Sequence, residues 1–360
     1  MPTGFWFRRH VEQPFDELRL INFRPKAEVG EMLESRFSSA GVSGFSSAEA
    51  FERNLGLISA PEQRRLSDSL VAIAGCGGVG GAHAHTLARL GVGRFRLTDP
   101  DTFSVANFNR QIGASVQTVG LNKAVVTARM IRAINPGASI EILDGGLTAD
   151  NAAGFVRDAH AVVDGVDFFA MDARRRLFSA AWVEGTPALT AAPLGFSGTL
   201  HVFAPGGMSF DEYFDLSDGQ VPFDQLVNFS IGLAPRALHL PYLDLRTVDP
   251  VTGRGPSSIL GCQMAACLLG AQTLRLLLGR GQVPLAPRYL QFDSYRQLLR
   301  TGYLRNGNRN AVQRLKRRVL VRRLRQLGWT RSVRLEAPVP GGEIGDLRKA
   351  DGFGASGNGK

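Results

Sequence analysis

The run Gly75-Cys76-Gly77-Gly78-Val79-Gly80 follows directly on the apolar stretch Leu70-Val71-Ala72-Ile73-Ala74. An apolar strand that ends in glycines at this spacing can continue in few ways, and a strand–turn–helix unit is the best of them. Gly75 permits the tight turn, Gly77 with Gly78 beside it lets backbone N–H groups approach a phosphate, and Gly80 lets the helix pack on the sheet. By itself such a triplet is a weak signal, since many are ordinary turns. It says that phosphates sit near a helix N-terminus and leaves the nucleotide open.

The second run begins at Asp99-Pro100-Asp101 and continues to Asn107-Phe108-Asn109-Arg110-Gln111. An acid closing the second strand of such a unit binds ribose hydroxyls, which suits Asp99 and fits a nicotinamide dinucleotide as well as ATP. Asn107, Asn109, Arg110 and Gln111 then gather amide and guanidinium donors close to Asp101, and Lys123 opens the next helix. Hydride transfer has no need of several cations near the phosphates. Displacement at an α-phosphate does, because negative charge grows on the leaving pyrophosphate. Taken singly, Arg110 and Lys123 are equally well read as surface charges. As a set they point to a nucleotide whose phosphates are cut.

From Leu70 onward the pattern alternates strand and helix: strands at 71–74, 94–98, 139–143, 161–164 and 188–191, with helices at 81–90, 122–134, 150–157 and 173–183 between them. This predicts an α/β fold with a doubly wound, mainly parallel sheet. After Pro193 the pattern changes, and Ser197–Phe203 alternates as an antiparallel strand does. Residues 205–256 are rich in Pro, Gly and Asp and read as a long loop or a substrate-facing insertion. A closing strand is expected at 289–292. Residues 254 and 275 bracket a stretch without charges that is close to membrane-span length, yet its Gln, Ser, Gly and Ala content favours a buried helix over a span. The net charge of +10 is concentrated: between Ser294 and Leu335 there are thirteen Lys or Arg and no acid. Within that stretch, 311–327 reads as a basic amphipathic helix with Val312, Leu315, Val319, Leu324 and Leu327 on its apolar face. The expected boundaries are an extension over 1–50, a main domain over 51–300, the basic helical segment over 301–335 and a disordered Gly-rich tail over 336–360. Three cysteines exclude a disulfide framework, and no CxxC pair offers a zinc site. With no apolar signal core near Met1, a cytoplasmic location is expected.

In this order the motifs resemble the ubiquitin-activating-enzyme-like (ThiF/MoeB/HesA) adenylyltransferases. The resemblance covers about 51 to 295. It rests on Gly75–Gly80, on Asp99 through Gln111, on Val119-Gly120-Leu121-Asn122-Lys123, on Ile134-Asn135-Pro136 and on Val162-Val163-Asp164-Gly165-Val166-Asp167. It implies a Rossmann-like nucleotide-binding half with an antiparallel extension. It also implies that Asp99 binds the ATP ribose and that Asn107 and Arg110 contact the phosphates, with Arg110 stabilising the transition state. Lys123 would bridge phosphate oxygens, and Asp167 would hold Mg²⁺. Arg53, in Phe51-Glu52-Arg53-Asn54, matches the arginine that members lend across a homodimer interface. Asp164 reads as a turn cap, and the arginines at 174–176 read equally as pocket or as surface residues. The products would be an acyl-adenylate and pyrophosphate, with a small carrier protein or a peptide as the source of the carboxylate.

The chain also departs from the family pattern. There is no cysteine between Gly77 and Gly261, where thioester-forming members carry one, and Cys262 and Cys267 fall in the apolar helix. Activation without a thioester on this chain is therefore expected. Phe168 stands where a small polar residue usually follows the aspartate. Asn107 through Ile112 and Leu147-Thr148-Ala149-Asp150-Asn151 also look like the branch that dehydrates threonylcarbamoyl-adenosine in tRNA. On that alternative the basic C-terminal segment would contact tRNA phosphates.

Overall fold

A computed structural model describes residues 45–249, 254–326 and 328–329. The expected tail over 336–360, Leu327 and most of the expected extension over 1–50 lie outside the described residues. From Ser46 onward the chain forms one compact unit, entered through the short helix α1 (Ser47–Ala50).

Its centre is a nine-stranded sheet. Four parallel pairings join β3 (Ser139–Leu143), β2 (Arg94–Thr98), β1 (Leu70–Ala74), β4 (Ala161–Asp164) and β5 (Ala188–Thr190) in that order. The sheet continues antiparallel through β7 (Ser197–Phe203), β8 (Arg288–Asp293) and β9 (Leu298–Tyr303), and β6 (Pro193–Leu194) pairs with β7. Every residue of β1 and β4 is buried, which is what a parallel strand covered on both faces requires.

Alternation along β1 divides the core in two. Val71 and Ile73 join Leu66 of α2 (Ala60–Asp68), Leu87 of α3 (Gly78–Arg89), Ile131 of α4 (Lys123–Ile134) and Leu269 of α9 (Ile259–Leu278). Leu70, Ala72 and Ala74 face the other layer. There they meet Phe155 of α5 (Ala152–Val156), Leu177 of α6 (Met171–Val183), Phe214 of α7 (Phe210–Phe214) and Phe229 of α8 (Pro222–Leu233). Helices thus cover both faces, and the strand order reverses between β1 and β4.

Three differences from the sequence reading have physical causes. Residues 205–256 contain α7 and α8. Ser209 caps α7 with a capping box and Pro222 starts α8, signals that a Pro- and Gly-rich composition hides. Strand β9 pairs along its whole length with β8, although its residues are exposed or only half-buried and show no apolar alternation. Helix α10 (Ala311–Gln326) docks on α8 with Leu324 as the one buried member of the expected stripe among the described residues. Gln313 and Leu324 are buried, whereas Val312, Leu315 and Val319 are 59–61% exposed. The rotation follows from polar bonds: Gln313 Nε2 donates to the Ile231 carbonyl, and Arg317 donates to Asn228 and Asp224. The uncharged stretch forms α9, which has the length and hydropathy of a span. One face of it is buried from Gly261 to Leu278. Gly270 lies so close to Thr86 of α3 that a Cβ would sit 3.0 Å from the threonine methyl.

Candidate active site

The glycine turn is shaped by contact with the neighbouring strand. Gly75 has φ +87°, the left-handed region that glycine adopts without strain. A Cβ on Gly75 would strike the carbonyl of Gly165, one on Gly80 would strike the carbonyl of Gly75, and one on Gly165 would strike both glycines. The loops after β1 and β4 therefore touch backbone to backbone. Gly165 is part of the sequence motif, but its role is visible only once β1 and β4 are paired. Helix α3 starts at Gly78, inside the glycine run, so its free N–H groups face the turn.

Asp99 leaves β2 and reaches back to this turn. Its Oδ2 accepts from Cys76 N at 2.6 Å and its Oδ1 from Asp101 N at 2.9 Å. Burial raises its pKa, and the Lys123 cation opposes that shift. The same carboxylate thus fixes the phosphate turn and keeps lone pairs for a sugar. Asn122 caps α4 by accepting from Val125 N, and its amide donates to the Asp99 carbonyl at 2.9 Å. This sets Lys123, which is buried and pairs with Asp101 at 2.8 Å.

The donor cluster divides by role. Asn107 accepts from Ser104 N and closes the short turn Val105–Asn107, and Asn109 donates to the Ser257 carbonyl. Asn107 thus serves its own turn, and Asn109 ties the loop to a segment 148 residues away. Arg110 donates to neutral oxygens, of Ala106 and Asn109, and its Cγ lies 3.9 Å from a Cβ placed on Gly78. Gln111 is buried beside Gly77, and its Oε1 has no hydrogen-bond partner among the described residues. A buried amide oxygen without a donor beside an open glycine turn fits a site built for a ligand.

The loop after β4 carries the two candidate acids in different states. Asp164 is buried and bound by Arg174 at 2.9 Å, and it also accepts from Val166 N. Arg174 donates further to the carbonyls of Val166 and Phe168 and lies 4.6 Å over the Phe229 ring. Asp164 is therefore spent on structure. Asp167 is exposed and accepts from Phe169 N at 2.9 Å through Oδ1, while its Oδ2 is unpaired among the described residues.

Arg53 lies elsewhere. The turn Glu52–Asn54 packs by Leu90 and Gly91, at the far end of α3 from the glycines. A helix of twelve residues is about 18 Å long, so Arg53 does not reach the turn of its own chain. Cys262 does touch the site: its sulfur lies 3.1 Å from a Cβ placed on Gly78, and burial pushes its thiol up to about 11. Its place in the apolar helix gave no hint of this. Among the described residues no cluster of three or more His, Cys, Asp or Glu could hold a metal ion.

With this geometry in place, comparison with known proteins is direct. The ThiF family model matches residues 51–312. The chain belongs to the ThiF family. It is 41% identical over 102 residues to the tRNA threonylcarbamoyladenosine dehydratase of Escherichia coli, covering 28% of this chain and 38% of that protein. It is 28% identical over 250 residues to the sulfur carrier protein adenylyltransferase of Thermus thermophilus, covering 69% of this chain and 84% of that protein. Against the first curated relatives the chain spans only about a third to a half of their length. E. coli MccB crystallised with ATP shares the fold, with a TM-score of 0.51 and 18% identity over 67% of this chain and 65% of that one. The doubly wound, mainly parallel sheet is the architecture expected for this ThiF-family chain.

Proposed function

We propose that this ThiF-family chain is an ATP-dependent adenylyltransferase that activates a carboxylate as its acyl-adenylate. The observation that carries the reading is the glycine turn itself: Asp99 fixes it, Gln111 and Arg110 lie against Gly77 and Gly78, and the loop that leads to Asp167 touches it through Gly165. A nucleotide laid there has its ribose at Asp99 and its phosphates over Gly75, Gly77, Gly78 and Gly80. The attacking carboxylate oxygen bonds to the α-phosphorus, the bond to the bridging oxygen breaks, and pyrophosphate leaves. Among the described residues Arg110 has no carboxylate to satisfy and Lys123 has only the half-exposed Asp101, so both cations are available to the charge that grows on the leaving group. No cation among the described residues offsets Asp167, and it is the residue that would hold Mg²⁺. With a single protein carboxylate, the remaining ligands would be phosphate oxygens and water, as magnesium prefers. When bound, the ion neutralises phosphate charge.

Two features extend this reading. Arg53 is exposed and remote from its own site, which fits a homodimer in which it serves the partner's nucleotide. Cys262 is buried with a raised pKa, so activation proceeds without a thioester on this chain. Three free cysteines fit a reducing cytoplasm. A carrier-protein C-terminus or a peptide is the substrate class we favour, and MgATP-dependent pyrophosphate exchange with candidate carrier proteins tests it. No exchange with any carboxylate, together with no ATP binding, refutes the reading.

The second reading is dehydration of a tRNA-borne carboxylate. It is favoured by the 41% identity over 102 residues to the tRNA dehydratase and by the exposed arginines of α10. Tight tRNA binding that weakens steeply with salt would select it; weak binding indifferent to tRNA would exclude it.

A further inference from the structure

The match to the ThiF family ends at residue 312, yet the chain continues in α10, whose Leu324 belongs to an apolar cluster that the loop after Asp167 packs against. Phe223, Leu226 and Val227 of α8 form a buried apolar cluster with Leu324 of α10 and with Trp329 beyond it. Phe168 and Phe169 pack against this cluster, together with Leu320 and Val321. These two phenylalanines directly follow Asp167, and the N–H of Phe169 holds the Asp167 carboxylate. Their rings stand edge to face at 5.2 Å, and Phe168 lies 5.5 Å from Phe229.

The loop is thus gripped from two sides. On the inner side Arg174 binds Asp164 and takes the Phe168 carbonyl. On the outer side the cluster takes the Phe168 and Phe169 rings. Helix α10 is itself anchored by directed bonds: Gln313 to the Ile231 carbonyl, Lys316 to the Pro235 carbonyl, and Arg317 to Asn228 and Asp224. Phe168 replaces the small polar residue expected there, and its ring is used in this grip. An exposed carboxylate on a free loop samples many orientations, whereas one whose flanking rings are packed is set before the ligand arrives.

We propose that α10, together with Trp329, is a positioning element for Asp167. Through Leu324 and Trp329 it holds Phe168 and Phe169 so that the free Asp167 oxygen is aimed at the divalent cation of bound MgATP. This rests on the reading of Asp167 as the metal-holding residue.

The test is ATP binding by titration calorimetry on the full chain, with Mg²⁺ and with EDTA. Asp167→Asn is expected to abolish the gain in ATP affinity that Mg²⁺ brings. Leu324→Ala and Phe169→Ala are expected to cut that gain by about tenfold, as loss of a residue that orients a metal ligand does. Affinity in EDTA should stay within about twofold of the parent in these variants. The conservative Trp329→Phe and Phe169→Leu should keep most of the gain, which separates positioning from collapse of the fold. If Asp167→Asn loses the gain but Leu324→Ala and Phe169→Ala keep it, the positioning role is wrong and the site stands. If Asp167→Asn keeps the gain, the site reading fails and the positioning role falls with it. Equal losses in Mg²⁺ and in EDTA overturn the proposal as well, because a merely structural role predicts that result.

Discussion

The glycine-turn half of the molecule, from β1 to β4, and the C-terminal half, from β7 to α10, are built by different rules. In the first half the functional residues lie at strand ends, and each is fixed by one or two hydrogen bonds to neighbouring backbone. Asp99 bonds Cys76 N and Asn122 bonds the Asp99 carbonyl, each across 23 residues. In the second half the important contacts join residues far apart in sequence, such as Arg317 to Asp224 and Asn308 to the carbonyls of Phe214 and Asn228. Local chemistry therefore writes the site, and long-range packing holds it. Arg174 sits where the two halves meet, which makes it the first place to test the division.

Replacing Arg174 with Met should give the largest loss of stability. The change leaves Asp164 buried without its partner and frees the carbonyls of Val166 and Phe168. Breaking one side of a buried ion pair costs about 3–5 kcal/mol, read as a fall in thermal midpoint or in the denaturant midpoint. A small change would mean that the two halves are joined elsewhere.

Arg110→Ala should do the opposite: little change in stability and a large loss of activity. Its bonds go to Ala106 and Asn109 at the surface, so folding loses little. Removing a group that stabilises charge in the transition state lowers kcat about 10²–10³-fold, measured by pyrophosphate exchange. Unchanged activity would remove Arg110 from the site and reopen the reading of this half.

The two halves also share a response to acid. His83, in α3, and His201, in β7, are fully buried, and burial lowers each pKa to about 3. Both are neutral in the folded chain at neutral pH. Below about 6.5 the unfolded chain takes up a proton at each histidine while the folded chain does not. Stability therefore falls as pH drops from that point toward 3, by up to about 1.4 kcal/mol per pH unit for each histidine. His83→Gln and His201→Gln should each flatten the slope of the thermal midpoint against pH between 6 and 4, whatever they do to its value at pH 7. An unaltered slope would show that the histidine titrates in the fold.

Why the first half was legible and the second was not follows from these residues. Gly75, Asp99, Arg110 and Lys123 are named as candidates by their positions along two successive strand–helix units, from β1 to α4, so the chain order alone picks them out. The resemblance tells Asp167 from Asp164 in the sequence, but the pairing that spends Asp164, with Arg174 of α6, appears only in the fold. Gln313 and Arg317 dock α10 although the pattern of apolar residues pointed to Val312, Leu315 and Val319. Of the expected stripe only Leu324 is buried among the described residues. A helix held largely by side-chain hydrogen bonds, to the Ile231 carbonyl and to the Asn228 and Asp224 side chains, leaves little hydrophobic period to read. Gln111 lies between the cases: its type and place named it a donor, but its unpartnered oxygen appears only in three dimensions.

The smallest effect separates neighbours on α10. Arg317 bonds Asn228 and Asp224 at 2.8 Å, while Arg318 points to solvent. Arg317→Ala should cost about 1–2 kcal/mol, because it removes two charge-assisted bonds that are partly shielded from water. Arg318→Ala should stay within about 0.5 kcal/mol, as surface substitutions do. Paired thermal melts of the two variants measure the difference. Equal costs would mean that α10 is held mainly by the Leu324 and Trp329 cluster. The polar bonds would then only set its rotation, and the line between a half fixed by hydrogen bonds and a half fixed by packing would sharpen further.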